Sequence, residues 1–266
     1  MNREDSFLKN YKHSSQKGYQ TKRAYLLKGE KLPPGEFGVM HGYMKIPELK
    51  KVCHAYGVSI NEYLVAVYVW SVYTECMHGM PSERPVRVAV PVNLRPYFNS
   101  ITTKNFFVMV SAEFHPTKEI YTFEEVLKSV SESLRSQISR ENLEKLFSYN
   151  VSNEKLLAAR IVPLFLKNLA MRYVYTTSAL ANTATVTNIG NISVSEEYRP
   201  YVEMFHAFLA MSKGQHLKGT ICSYGDTLVF SFSYDLTDTS VQRGFFRKIA
   251  ADGIAVEIET NGVNYE

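Results

Sequence analysis

Seven histidines are the residues of this 266-residue chain best suited to moving protons: His13, His41, His54, His78, His115, His206 and His216. Imidazole titrates near neutrality, so each has the chemistry of a general base. Their spacing assigns that role to none of them. No histidine has an aspartate four residues on, and the H-E-x-x-H, G-x-S-x-G, G-x-G-x-x-G and P-loop patterns are absent. His41 lies in a short apolar stretch from Phe37 to Met44, where a histidine is more often structural than catalytic. The three cysteines, Cys53, Cys76 and Cys222, stand far apart, and Cys76-x-His78 alone is a poor ligand pair. The expectation is no metal, no disulfide framework, and reduced, mostly buried thiols of a cytoplasmic protein.

Arg95 is the other residue with chemistry in view. Val86, Val88, Val90 and Val92 alternate with Arg87, Ala89 and Pro91, the period of a strand with one apolar face. The strand ends in Asn93-Leu94-Arg95-Pro96, where Pro96 cannot continue a ladder and biases Arg95 towards extended geometry. A guanidinium at the point where a buried strand opens into a loop needs a carboxylate or several carbonyls around it. A second strand follows from about Phe106 to Phe114.

These residues need a framework. Pro47 suits the first turn of a helix whose apolar residues, Leu49, Val52, Cys53 and Tyr56, recur at helical spacing before Gly57. Ser59-Ile60-Asn61-Glu62 is a capping box ahead of a helix running to about His78, and YLVAVYVWSVY is apolar nearly all round. Thr122-Phe123-Glu124-Glu125 is a second capping box, opening an amphipathic helix to about Arg140. Pro163 divides or kinks residues 153–172. Residues 176–182 are expected as a loop, Thr183 to Ile189 as a strand, and Asn188-Ile189-Gly190-Asn191 as its closing turn. Val202 to Ala210 is expected as a strand. Leu217–Ser223 and Thr227–Tyr234 flank Gly225-Asp226 as a hairpin. Asp238 is placed to cap a last helix through Val241, Phe245 and Ile249, and Ile254, Val256 and Ile258 alternate as a closing strand. The fold class is therefore α/β in an α+β layered form: a mixed sheet packed with helices.

Composition sets the outer bounds. The chain is 45% hydrophobic and 21% charged, with Tyr 18, Phe 15 and Trp 1, which suits one large or two small globular domains. The net charge is +4, yet residues 1–31 hold eight Lys/Arg against three acids, a local +5 that leaves −1 for the rest. The basic balance is thus a property of the start of the chain. It reads as a solvated arm, because the charges are spread out, not clustered as in a nucleic-acid arm. The longest apolar run, Tyr63 to Tyr73, is too short to span a bilayer, which takes about 20 residues. Residues 1–25 lack the apolar core of a signal peptide.

A family resemblance adds to this. IPELKKVCHAYGVSINEYLVAVYVWSVY, then VAVPVNLRPYFNSITTKNFF, then TVTNIGN, then the closing hairpin, helix and strand together resemble, in order, the second half of the condensation-domain and alcohol-acetyltransferase group. That group belongs to the chloramphenicol-acetyltransferase-like superfamily of CoA-dependent acyltransferases. TVTNIGN is similar to the family's S-N-x-G element, with Thr187 in place of the usual serine.

The resemblance implies a two-lobed acyltransferase fold. Its general-base histidine, in an H-H-x-x-x-D-G motif on the first lobe, helps an alcohol or amine attack a thioester of CoA or a carrier protein. This sequence contains no such motif, so the resemblance implies the C-terminal lobe, with no catalytic residue of its own. It implies that Arg95 pairs with the aspartate of the other lobe's motif, that Thr187 and Asn188 face the substrate tunnel and bond a developing oxyanion, and that Asn105 supports the crossover. The organisation expected is a basic, partly flexible segment over 1–35 and the acyltransferase-like lobe over 36–266. No cofactor is expected to be covalently held, and an acyl-CoA or acyl-carrier thioester is the implied co-substrate. The implied partner is the H-H-x-x-x-D-G lobe or a second copy, with no nucleic acid. The alternative is a non-catalytic binding or scaffold module that docks a carrier protein or self-associates.

Overall fold

The computed structural model describes residues 5–12, 22–155 and 162–262. Seven strands form one mixed sheet: β1 (Gly38–Lys45), β2 (Val86–Asn93), β3 (Phe107–Phe114), β4 (Ala184–Asn191), β5 (Leu217–Tyr224), β6 (Thr227–Tyr234) and β7 (Val256–Thr260). Their spatial order is β3-β2-β4-β5-β6-β1-β7. β2, β4 and β5 run parallel, and the remaining neighbours pair antiparallel.

Alternation along the strands builds the core. Val88 and Val90, Val110 and Ala112, Val186, Ile221, and Phe230 and Phe232 all point to one face and are buried. On that face lies α3 (Ile60–Ser71), in which every residue from Tyr63 to Val69 is fully buried. A helix apolar all round can be stable only when it is enclosed. Here the sheet, α5 (Phe123–Gln137) and α8 (Ser240–Ala251) enclose it. Both expected capping boxes are present: the Ser59 hydroxyl accepts from the Glu62 N–H while Glu62 accepts from the Ser59 N–H, and Thr122 and Glu125 do the same. Before α3, α2 (Ile46–Tyr56) ends at Gly57, whose φ of 67° is the left-handed conformation glycine adopts freely. α5 also protects the sheet edge. Gln137 and Ser133 side chains bond the Ser111 carbonyl, and Ser133 and Gln137 oxygens accept the N–H groups of Glu113 and Ser111.

Several expectations are corrected. The α3 helix does not continue as α-helix to His78. It passes into a π-helical turn, Val72–Cys76, and His78 turns the chain at φ 52°. α5 stops at Gln137, and α6 (Arg140–Lys155) starts at once. Residues 176–182 are not a loop, because α7 (Leu164–Leu180) runs through them. Pro163 does stand at a helix boundary, as the N-cap of α7, while 156–161 of the stretch it was expected to divide lie outside the described residues. Asn188-Ile189-Gly190-Asn191 is not a turn: it continues β4 through a bulge, with Gly190 at φ 87°. Val202–Ala210 forms no ladder. Asp238 accepts from Ser240, but the N-cap position itself is Thr239. Nor is Arg95 extended. It begins a one-turn helix, α4 (Arg95–Phe98), because the Asn93 side chain accepts the Arg95 N–H at 3.1 Å and Pro96 needs no donor in a first turn.

Upstream of residue 36, Ala24, Leu27 and Leu32 are buried. The Ala24 N–H bonds the Leu180 carbonyl and the Leu32 N–H bonds that of Asp235. Packing of the lobe therefore reaches back at least to residue 24.

Candidate functional site

β2 and β4 are neighbours for two residue pairs only, Val88 with Ala184 and Ala89 with Thr185. Beyond them β2 pairs with β3 alone as far as Asn93, and β4 with β5 alone as far as Asn191. Two parallel strands that part at their carboxyl ends leave a crevice there, the usual place for a ligand in such sheets. Thr187 and Asn188 are on the β4 side of it, and Arg95 follows directly from the end of β2. Topology thus carries Thr187 and Asn188 to the carboxyl end of β4 and Arg95 and Asn105 to the crossover after β2, with Asn188 turned toward α3 and Thr187 on the opposite face of the sheet.

The β4 bulge sets the position of Asn188. Its Oδ1 accepts the Gly190 N–H at 2.8 Å, and its Nδ2 approaches Asn61 Oδ1 in the first turn of α3 at 3.5 Å. The amide is exposed, and Thr187 is half-buried beside it. Arg95 is satisfied within its own loop. Nε donates to the Thr102 carbonyl at 2.9 Å, one terminal nitrogen to the Lys104 carbonyl at 2.7 Å, and the other to Asn93 Oδ1 at 3.2 Å. Among the described residues no carboxylate pairs with it. The crossover is also closed by the Leu94 N–H on the Phe106 carbonyl. Asn105 is exposed and lines a cavity of about 520 Å³ with Ser6, Phe7, Lys104 and Phe147.

Strand register reveals a feature that spacing could not. Thr187, Thr220, Ser231, His41 and Glu259 are successive cross-strand partners on β4, β5, β6, β1 and β7. They form one polar row on the face opposite the core. Over it, His206 stacks on His41 with ring centres 4.5 Å apart and meets Tyr43 Oη at 2.8 Å. His216, in contrast, pairs with Asp235 at 2.8 Å. Burial, reinforced by His206, holds His41 below the ordinary histidine range, against the pull of Glu259. Among the described residues no group of three His, Cys, Asp or Glu is placed to hold a metal ion.

One surface stands out. No residue of α7 is buried, and Leu164, Phe165, Leu169, Met171 and Tyr173 are each about two-thirds exposed or more. Among the described residues no helix is long and apolar enough to cross a membrane.

No family model matches the sequence, and no curated protein matches it. Solved structures do match the fold. The trichothecene 15-O-acetyltransferase TRI3 of Fusarium sporotrichioides superposes with a TM-score of 0.55 at 14% identity, over 93% of this chain and 50% of its own. TRI101 of F. sporotrichioides, solved with coenzyme A and T-2, superposes with a TM-score of 0.54 at 10% identity, over 97% and 60%. The wax ester synthase/diacylglycerol acyltransferase of Marinobacter aquaeolei VT8 gives 0.50 at 16% identity, over 87% and 52%. The chain spans about half the length of the solved structures it matches. Its fold is that of one lobe of the acyltransferases it resembles.

Proposed function

We propose that this chain is the C-terminal lobe of a thioester-dependent O- or N-acyltransferase, completed by a lobe that carries the H-H-x-x-x-D-G base. The observation that carries the reading is coverage: nearly all of this chain superposes on about half of each acetyltransferase. The exposed apolar α7 supports it, since a helix without a buried residue gains stability from whatever covers it. Thr187 and Asn188, on opposite faces of β4 at its carboxyl end, each offer a donor suited to a developing oxyanion, a hydroxyl or an amide. Arg95 needs no partner to be satisfied here. Its proposed pairing with an aspartate of the other lobe replaces one carbonyl contact by a stronger charged one. Asn105 keeps a supporting role at the crossover. The lobe is taken as 36–266, with a basic segment over 1–35 that packs onto it from Ala24 on. An acyl-CoA or acyl-carrier thioester is the donor. The test is thiol release from acyl-CoA with an alcohol or amine acceptor: the chain alone gives none above background, and the chain joined to its base-bearing lobe turns over.

The exposed α7 equally favours a binding module that docks a carrier protein or a second copy. Sedimentation of the pure chain with an apolar dye tests both readings. A monomer that binds no dye counts against both the module and the missing lobe.

A further inference from the structure

Val202–Ala210 crosses the outer face of the sheet as a strap. Among the described residues it makes no main-chain hydrogen bond to any strand. Its polar attachments are side chains reaching its carbonyls, Cys222 Sγ to Phe205 at 3.1 Å, Ser233 Oγ to Leu209 at 2.6 Å and Lys218 Nζ to Ala210 at 2.8 Å, and its Phe205 and Phe208 rings rest on Tyr224 and Phe37. Such a segment detaches without breaking a ladder.

Its one sheet-contacting titratable side chain is His206. That ring lies on His41, centre to centre 4.5 Å and tilted 39°. Tyr43 Oη bonds both His206 Nε2 and Glu259 Oε2. An ionised carboxylate only accepts, so Tyr43 donates to Glu259 and takes the Nε2 proton of His206 in hydrogen bond. Below, His41 Nδ1 is 2.7 Å from the hydroxyl of the fully buried Ser231.

We propose that His41 and His206 form a pH-sensitive clasp that holds Val202–Ala210 on the sheet near neutrality and releases it in acid. The ionisable groups around the pair are Tyr43 on β1, Glu257 and Glu259 on β7, Lys218 and Cys222 on β5, and the exposed Glu203 of the strap itself. A proton added to His41 places a half-buried cation 4.5 Å from the His206 ring, with, among the described residues, no carboxylate hydrogen-bonded to it. The direction follows from linkage. The clasped state binds protons less readily than the released one, because His41 is held below its ordinary value by burial and by His206. Acid therefore favours release, beginning near the ordinary histidine value of about 6.5 and growing below it.

Release uncovers Cys222 and Thr220. The Thr220 hydroxyl is buried with no hydrogen-bond partner among the described residues, and Thr220 stands in register with Thr187. On the acyltransferase reading the clasp controls access to that wall. The clasp itself does not depend on that reading, and its test involves no acyl transfer.

The test is labelling of Cys222 by a dithiodipyridine reagent, read by peptide mass spectrometry and normalised to a model thiol at the same pH. Cys53, buried in the core, reports global opening. The expected result is Cys222 labelling roughly tenfold faster at about pH 5.5 than at about pH 7.5, with Cys53 unchanged. His41→Gln and His206→Gln each abolish the difference, and Glu259→Gln moves release to higher pH. Equal normalised rates at the two pH values overturn the clasp. So does acceleration that survives in both histidine variants, or acceleration that Cys53 shares.

Discussion

Arg87 on β2 and Glu113 on β3 face each other across the ladder with Nε and Oε2 2.6 Å apart. The guanidinium also donates to the Lys22 carbonyl at 3.0 Å and the Ala181 carbonyl at 2.6 Å, so one buried cation ties the upstream segment, the end of α7 and two strands together. Removing one partner of a buried pair leaves the rest uncompensated. Arg87→Ala is therefore expected to cost about 3–5 kcal/mol of stability, and the paired change Arg87→Met with Glu113→Leu to cost less. Urea unfolding of the two variants checks the order.

Glu113 makes the same network sensitive to acid. Burial raises its carboxyl, but the Arg87 guanidinium and then His115 outweigh that, and the net shift is below the ordinary value of 4.5. A carboxyl lowered in the folded state stabilises fully above its unfolded value and loses that contribution as pH falls through the folded one. The stability lost between about pH 5 and pH 3 is expected to shrink in Glu113→Gln, as followed by the urea midpoint across that range. An unchanged acid slope would show that the pair is not the source.

Gly42 has no room for a side chain. A Cβ built there falls 2.1 Å from the Phe246 ring, which packs on Phe232. Gly42→Ala is expected to lower stability by about 3 kcal/mol through overpacking between β1 and α8. Thermal unfolding measures this, and Phe246→Leu in the same chain is expected to recover part of the loss.

On the crevice wall, the proposed oxyanion donors predict a loss of rate without a loss of fold. In the two-lobe assembly, Thr187→Val and Asn188→Ala are each expected to lower kcat about 10²-fold, with Thr187→Ser close to the parent. Steady-state kinetics beside a melting curve decides. A matching fall in melting temperature would make the residues structural.

What the sequence conveyed depended on whether the signal was local. Ser59 with Glu62, Thr122 with Glu125, Gly57, and the Gly225-Asp226 hairpin each act through neighbours a few residues away, and each forms as read. Val202–Ala210 is apolar as a buried strand would be, yet strand formation needs a partner edge, and composition does not say whether one is present. Asn-Ile-Gly-Asn has the composition of a turn, but β5 supplies a ladder and Gly190 absorbs the misfit as a bulge. The Arg87 network and the polar row from Thr187 to Glu259 join residues far apart in sequence, so only register exposes them. Arg95 lies between these cases: a polar surrounding was legible, and three oxygens of its own loop provide it.

The DNA immediately upstream of the Met1 codon tests whether the chain is one lobe of a two-lobe enzyme. The expected result is a coding stretch, in frame or as an adjacent gene, for a lobe carrying H-H-x-x-x-D-G. A long upstream region that encodes no such lobe would contradict it and leave the binding-module reading in its place.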